Sequence, residues 1–595
     1  MQHQRALIAS LIILALAASS CASPVTTARQ ALEPTVIPAV PGSEIPAITR
    51  QLREQYEAAG EKFAVSTQGK ATTAAAMAIT RKGGNLIDAT IAASFAVSVE
   101  RPHSTGIGGG GFMVFRDGKS KKVYAVDFRE RAPKAASRDM YVTAEGKVAP
   151  RASLDGALAA ATPGLVAGLF EIHRRFGKLP WRLLLEPAIA LAEKGIPVYP
   201  RLAEVIAARK EVLARFPASR AVFFKADGTP LATGETLIQK DLAETLKRIA
   251  RDGRAGFYKG PVASAIAHEM GERGGLITTD DLAAYKVRWL EPLVGTYKNF
   301  TLFAMPPPSS GGVHVLQILN MLEHDHLRDN GFMSARNAHL TASAMQQAFA
   351  DRAEYLGDPD FVKVPTAELI SKSYAKRVRK LFTDKARRPD EVAPGNITSL
   401  DEHTETTHIS LINDKGDMVA TSQTINGWFG SALVVPGTGV LLNNEMDDFS
   451  ALPGVPNLFG AVGKEANAIA PLKTPLSSMS PTLVLNEELK PLLSVGAPGG
   501  TRIISCVANV LLNYLEYETS LFDAITRPRL HHQWRPDVLS VDPPGFRRDV
   551  AAHLQSIGYN IEIEPIPCRV MGAAQEGKHV HGVSDPRDFG AADAF

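Results

Sequence analysis

The run Thr406-Thr407-His408-Ile409-Ser410-Leu411-Ile412-Asn413, then Asp414-Lys415-Gly416, then Asp417-Met418-Val419-Ala420-Thr421-Ser422-Gln423-Thr424, reads as a β-hairpin. Two alternating segments flank a short polar turn that contains glycine. With Gly416 as the third loop residue, the connection fits a type I turn closed by a G1 bulge. That register pairs Asn413 with Asp417 and sets Thr406 opposite Thr424. A two-residue loop would instead pair Thr407 with Thr424 and turn Thr406 to the other face. The bulged form is favoured, and it lays two threonine hydroxyls side by side. Threonine is also simply a good strand residue, and from the hairpin alone that plainer reading prevails.

The hairpin follows a change of character. Residues 150–395 are helix-rich and amphipathic, with proline-marked breaks at Leu179-Pro180 and at Pro197 and Pro200; past about 405, short alternating strands and Gly/Pro turns take over. Within the helical part, Gly253–Lys259 reads as a loop and Thr278–Tyr285 as a capped helix. Earlier, Thr72–Arg81 and Leu86–Val99 predict a helical pair broken by Gly83-Gly84, the second helix apolar nearly all round and hence buried. It runs into a glycine cluster whose Gly106, Gly108 and Gly111 match G-x-G-x-x-G. A dinucleotide fingerprint needs a strand before it and a helix after it. Here the order is inverted, so the glycines are read as allowing close backbone packing.

The 595 residues are 45% hydrophobic and 21% charged, which excludes wholesale disorder, collagen and coiled coil. Length alone suggests about three to five domains. A net charge of +3 gives no electrostatic case for nucleic acid. The three cysteines, Cys21, Cys506 and Cys568, exclude a disulfide framework and a Cys-rich metal module. Cys506 lies in an apolar run and reads as core, and Cys568 has no evident partner. The histidines His324/His326, His531-His532 and His579/His581 lack the spaced Cys or Glu that would complete a metal site, so neither metal nor cofactor is expected.

Residues 1–20 carry one charge, Arg5, then a run from Ala6 to Ala18 that is apolar except for Ser10. The run is too short for a bilayer span, which needs roughly 20 residues, and reads as a secretory signal. It ends in Ala18-Ser19-Ser20-Cys21, which resembles a bacterial lipobox with Ala18 where leucine is usual. Lipidation of Cys21 would anchor an exported, periplasmic protein to the membrane; the alternative is ordinary cleavage after a small residue such as Ala22. Residues 21–45 are Ala/Pro/Thr-rich and read as an extended tether.

Several further strings, in order, carry a resemblance. They are Pro102-His103-Ser104-Thr105 with the glycines Gly106–Gly111, Asp127-Phe128-Arg129-Glu130, Thr406–Ser410, Thr424-Ile425-Asn426, Leu442–Ser450, Pro475–Pro481 and Ala497-Pro498-Gly499-Gly500. Together they resemble the γ-glutamyltransferase (glutathione hydrolase) family over about residues 60–590. The resemblance implies the N-terminal nucleophile hydrolase fold, an α/β four-layer αββα sandwich. It also implies a precursor that cuts itself between Glu405 and Thr406, giving a large subunit (46–405) and a small one (406–595) that build the fold jointly. The change of character near 400 fits that boundary.

The residue types suit the implied chemistry. A threonine hydroxyl needs a base to take its proton. A cut before Thr406 frees an α-amine of pKa about 7.7–8.0, suited to that task. By resemblance, Thr424 orients Thr406, and Gly499 and Gly500 supply N–H donors to the oxyanion. A γ-glutamyl group carries an α-carboxylate and an α-ammonium. Arg129 can clasp the carboxylate with hydroxyls from Ser477 and Ser478, and Asp448, Glu445 and Asn426 can receive the ammonium. Outside the family, Arg129 would read as a surface ion pair with Glu130 or Asp127, and Asp447-Asp448 as a solvated turn. The implied partners are glutathione and other γ-glutamyl compounds, with amino-acid or peptide acceptors. A glutaryl-cephalosporin acylase-like amidase and a non-enzymatic peptide-binding lipoprotein are the rival readings. Two departures stand out: Gly427-Trp428 replaces two threonines found in many members, and the lid-like stretch Pro453–Gly460 has Phe459 where an aromatic hydroxyl is frequent.

Overall fold

The turn chemistry at Asp414-Lys415-Gly416 decides the register that forms. In the computed structural model, Thr407–Asn413 and Met418–Thr424 are antiparallel strands with Thr407 opposite Gln423 and Ile412 opposite Met418, the register of the three-residue loop. Gly416 takes φ +85°, a conformation costly for residues with a Cβ. Its N–H donates to the Asn413 carbonyl at 3.2 Å, and the Asn413 N–H donates to Asp417 at the same distance. The structure describes residues 47–392, 406–452 and 454–595. The signal segment, the tether, Cys21 and Glu405 lie outside the described residues.

Around this hairpin a seven-stranded antiparallel sheet forms from segments on both sides of residue 400. Its order is Ala591–Ala594, Phe63–Thr67, Thr407–Asn413, Met418–Thr424, Gly110–Arg116, Val123–Asp127 and Arg288–Leu290. A second seven-stranded antiparallel sheet runs Glu57–Gly60, His579–Ser584, Met571–Glu576, Pro491–Gly496, Thr482–Leu485, Phe300–Ala304 and Leu293–Tyr297. The hairpin strands are buried on both faces. Ile409, Leu411 and Val419 point to helices Lys70–Arg81, Leu86–Glu100 and Leu165–Phe176, whereas Ile412, Met418 and Ala420 point to the second sheet. That sheet carries Gly311–Leu322, Arg502–Leu515 and Leu521–Thr526 on its far face. The result is the expected αββα sandwich.

The glycine cluster has the packing role read from its inverted context. A β-carbon on Gly108, Gly109 or Gly111 would collide with the carbonyl oxygens of Leu441, Thr424 and Ser422. The cluster therefore lets one backbone lie directly against the strand that ends in Thr424. The buried helix before it is capped by Asn85, whose side chain accepts from the Asp88 N–H while Asp88 accepts from the Asn85 N–H.

Four expectations need correction. Past residue 405 the chain is not strands and turns alone: it also forms the helices Arg502–Leu515, Leu521–Thr526 and Arg548–Ser556, the first of them apolar and packed against the second sheet. The described residues belong to one compact unit, Ile45–Phe595, not three to five domains, because two shared sheets draw on nearly the whole length. Ala255–Tyr258, read as loop, is one helical turn; burying Phe257 and Tyr258 in the core draws the segment in. Cys568 does have a partner: it forms a disulfide with Cys506. Gly496 pairs with Met571 across adjacent strands, and this pairing brings the segments that follow one and precede the other together.

Candidate active site

The expected nucleophile emerges at the start of its strand. Thr406 is buried, and its hydroxyl donates to the Thr424 hydroxyl at 3.4 Å. The Thr424 oxygen also accepts the Asn426 N–H at 2.8 Å. That bond turns the chain sharply after the strand, with Asn426 at φ +74°, in the region that asparagine tolerates best among residues with a Cβ. The Asn426 carboxamide donates to the Asn444 carbonyl at 3.0 Å, and Asn444 Oδ1 accepts the Gly427 N–H at 2.9 Å. Asn443 is locked by donating to Gly108 O and Ala161 O, both at 2.8 Å, and by accepting the Glu445 N–H at 2.9 Å.

This anchoring fixes the single turn Glu445–Asp448, which points acids inward. Arg129 stands between them. Its guanidinium meets Glu445 and Asp448, each at 2.5 Å, and its Nε donates to the Pro475 carbonyl at 3.0 Å. Only 1% of Arg129 is exposed, which overturns the surface ion pair it would otherwise suggest: the side chain is turned inward, where Glu445, Asp448 and the Pro475 carbonyl receive it. Asp447 is likewise no solvated turn. It accepts from Ser153 Oγ at 2.6 Å and from the Leu458 N–H at 2.8 Å, while Asn457 donates to Asp448 at 3.0 Å. The acids thus hold the segment around Asn457–Phe459 over the pocket.

Ser477 and Ser478 form the opposite wall. Ser478 Oγ accepts from Arg352, whose Nε donates to Ser310 Oγ, at 3.2 and 3.0 Å. Arg352 was not among the expected residues. It projects from the helix Ala335–Tyr355, 6% exposed, and its charge acts on both Asp448 and Arg129.

One narrow cavity of about 20 Å³ is lined by Thr406, Thr424, Asn426, Arg129, Glu445, Asp448, Ser477, Ser478 and Gly500, with Arg352 and Phe459. Gly499 does not line it; it borders a neighbouring cavity of about 290 Å³ with Arg101, Arg201 and Arg569. Gly499 and Gly500 have φ of +138° and +54°, and neither amide N–H donates to another described residue. Trp428 lies away from the pocket, its ring under the Arg201 guanidinium at 4.9 Å. Among the described residues no cluster of His, Cys, Asp or Glu is arranged to hold a metal ion.

Burial sets the electrostatics. It pushes the Glu445 carboxyl up to about 7 despite Arg129, and Asp447 to about 7 despite Ser153 and Leu458. Asp448 also rises through burial, opposed by Arg129 and Arg352. Burial works against the Arg129 charge, but Glu445, Asp448 and Glu130 outweigh it and raise its pKa. Arg352, buried and repelled by Arg129, falls to about 10 despite Asp448.

The arrangement couples a hydroxyl poised at one end to paired charges of both signs at the other. Thr424→Val should test the coupling: it removes the acceptor of two hydrogen bonds and strands the Asn426 N–H. A loss of about 10²-fold in kcat is expected, with Thr424→Ser close to wild type, read by steady-state kinetics.

The gamma-glutamyltranspeptidase family model matches residues 72–595. The glutathione hydrolase proenzyme of Escherichia coli (strain K12) is 43% identical over 516 residues, covering 86% of this chain and 87% of the relative. That of Pseudomonas aeruginosa is 43% identical over 547 residues, covering 90% and 96%. The crystal structure of a cephalosporin acylase from Bacillus halodurans matches with a TM-score of 0.80 at 25% identity, over 95% of this chain and 99% of that one.

Proposed function

Because the chain belongs to the gamma-glutamyltranspeptidase family, we propose that it is a self-cleaving γ-glutamyl hydrolase/transferase that acts on glutathione and related amides through Thr406. One observation carries the reading: the Thr406–Thr424 hydroxyl pair and the Arg129–Glu445–Asp448 charges line the same pocket. A γ-glutamyl group has an electrophilic carbonyl at one end and a zwitterion at the other, so it matches both ends at once.

The cut before Thr406 frees its α-amine. The amine takes the hydroxyl proton as Thr406 Oγ1 bonds to the γ-carbonyl carbon. The carbonyl oxygen becomes an oxyanion that the Gly499 and Gly500 N–H groups receive. Collapse breaks the C–N bond, the new ammonium returns its proton to the leaving amine, and a γ-glutamyl ester remains on Thr406. Water or an acceptor amine then attacks the ester by the same route reversed. Arg129, with Ser477 and Ser478, takes the α-carboxylate; Glu445, Asp448 and Asn426 take the α-ammonium. The 290 Å³ cavity beyond Gly499 gives the leaving or accepting peptide room.

An acylase-like activity is the second reading, favoured by likeness to acylases in fold and in sequence. A glutaryl group has no ammonium and would leave Glu445 and Asp448 without a substrate partner. The γ-glutamyl anilide should therefore be cleaved about 10²-fold or more faster than the glutaryl anilide, in kcat/KM; the reverse preference would sink the γ-glutamyl reading.

Ionised Glu445 is needed for the ammonium, and its carboxyl titrates at about 7. The kcat/KM for the donor should rise as pH climbs through about 7, with a second limb from the Thr406 amine near about 7.7–8.0. Glu445→Gln should remove the first limb and leave the second. The sign for stability is opposite. A raised carboxyl holds its proton more tightly folded than unfolded, so Glu445 and Asp447 favour the fold most in acid, and that contribution is lost as pH rises to about 7.

Export and a lipid anchor at Cys21 complete the proposal. The sequence of residues 1–21 motivates both, and the Cys506–Cys568 disulfide suits an oxidising compartment. Intact mass of the mature N-terminus tests the anchor: an unmodified Cys21, or a start beyond it, would remove it.

A further inference from the structure

The Cys506–Cys568 disulfide lies beside the two-glycine segment. Cys506 lies on the helix Arg502–Leu515, which begins two residues after Gly500. The Arg502 N–H donates to the Gly499 carbonyl at 3.0 Å and the Ile503 N–H to the Gly500 carbonyl at 3.2 Å, so the glycines are the lead-in to that helix. Cys506 sits about one turn along it. Cys568 packs against the same segment. A β-carbon on Gly499 would fall 2.6 Å from Cys568 Cβ and 2.9 Å from the Pro567 carbonyl, so the Gly499 backbone rests directly on Cys568. Both cysteines are fully buried.

Cys568 is itself pinned from below. Arg529 donates to its Sγ and its carbonyl, each at 3.2 Å, and pairs with Asp585 at 2.5 Å. Asp585 also accepts the Val570 N–H at 3.0 Å. The glycines have no side chains of their own to hold them, and their positive φ values give no ladder of backbone bonds. What holds them is the helix they lead into and the Cys568 floor against which Gly499 packs. The disulfide is the covalent tie between the two.

We propose that this disulfide is a positioning device for the Gly499 and Gly500 N–H groups, so that turnover depends on it although neither cysteine touches the substrate. The proposal rests on the assignment of those glycines to the oxyanion. Cleaving the bond replaces a covalent S–S contact with a non-bonded one, and in a close-packed interior the helix and floor must part to make room. Donors aimed at a developing charge lose much of their effect when displaced by a fraction of an ångström to an ångström. Donor binding uses other residues, Arg129 and Asp448 among them, and is untouched.

The test uses the full-length chain carrying Cys506→Ala with Cys568→Ala, and a volume-conserving Cys506→Val with Cys568→Ala. Four quantities are read: the fraction of chain cut, kcat and KM on a γ-glutamyl anilide, affinity for free glutamate, and affinity for a γ-glutamyl phosphonate whose oxygens occupy the oxyanion position. Expected are a fall in kcat of about 10- to 10²-fold, an equal fall in phosphonate affinity, and unchanged KM and glutamate affinity. Loss of packing alone would lower thermal stability without separating the phosphonate from glutamate. A kcat and phosphonate affinity indistinguishable from wild type would overturn the proposal. Should the variants fail to cut themselves, the mature wild-type enzyme is reduced with a water-soluble phosphine in urea below its unfolding transition, which admits the reagents to the buried bond, its thiols are capped, the urea is removed, and the same two ratios, against an unreduced sample treated alike, decide. In that reaction the S–S bond breaks, each sulfur gains a proton from water, and the phosphine leaves as its oxide. Wild-type enzyme inactive on the anilide would fail the γ-glutamyl reading itself, a distinct outcome.

Discussion

Thr406→Ala should give one uncut chain and lose about 10⁴-fold or more in kcat. The size of the effect follows from the double duty proposed for this residue. Its hydroxyl is the nucleophile for the cut and for the substrate, and its α-amine, once freed, is the base. Alanine removes the hydroxyl and, with the cut blocked, the amine as well. The change in volume is small, because alanine only trims the hydroxyl and methyl of a side chain at the strand start, where the hydroxyl donates to Thr424 at 3.4 Å. A folded, uncut variant is therefore the expected product, visible as a single band on a denaturing gel beside two for wild type. A variant still cut at that bond, or an uncut wild type, would sink the mechanism. Thr406→Ser should keep both the cut and much of the activity, since the hydroxyl remains.

Arg129→Met should be the second large effect, on binding and on stability together. Arg129 is the cation between Glu445 and Asp448, and all three are buried. Removing one partner of a buried charge set costs about 3–5 kcal/mol, because the two carboxylates remain and repel each other. Their pKa values, already raised, should climb further, and the stability deficit should shrink in acid, where both are neutral. The donor KM should rise about 10²- to 10³-fold through loss of the charge-assisted bonds to the α-carboxylate. Arg129→Lys should be intermediate, since a lysine keeps the charge but cannot reach the Pro475 carbonyl and both acids in one plane. A 4-aminobutyryl anilide, which has no α-carboxylate, separates the two effects: its KM should not follow the mutation. If it rises equally, Arg129 acts only by holding the pocket's shape.

Local chemistry carried the hairpin and its register, because the third position of that turn needs a positive φ, which Gly416 adopts at +85° without the cost a Cβ would add. The packing role of Gly106–Gly111 was legible for a similar reason, from the order of elements on either side. The site residues were legible mainly as short strings with a family's order; hydrogen bonding then brought nine of them to one cavity. Arg352 left no such trace. It sits in an ordinary helical pattern, where an arginine reads as solvated, and only the tertiary approach of Ser478 and Asp448 gives it meaning. The disulfide was invisible because its cysteines are 62 residues apart and the pairing depends on two strands meeting in a sheet. The helices after Gly500 were masked by a local texture dominated by strands and turns.

The interleaving of the first sheet has a consequence for the life of the molecule. Phe63–Thr67 flanks the hairpin on one side and Gly110–Arg116 on the other, so segments from before residue 400 clasp those from after it. A precursor folds as one chain, with every strand tethered to its neighbours. Once severed before Thr406, the same sheet is a two-chain object whose reassembly would be second order in concentration and would leave each piece with bare strand edges meanwhile. A form cut there would owe its durability to slow unfolding, not to ready return from the unfolded state. Thermal inactivation of the cut protein should be irreversible and scan-rate dependent, while the Thr406→Ala chain, still whole, should recover its fold on cooling.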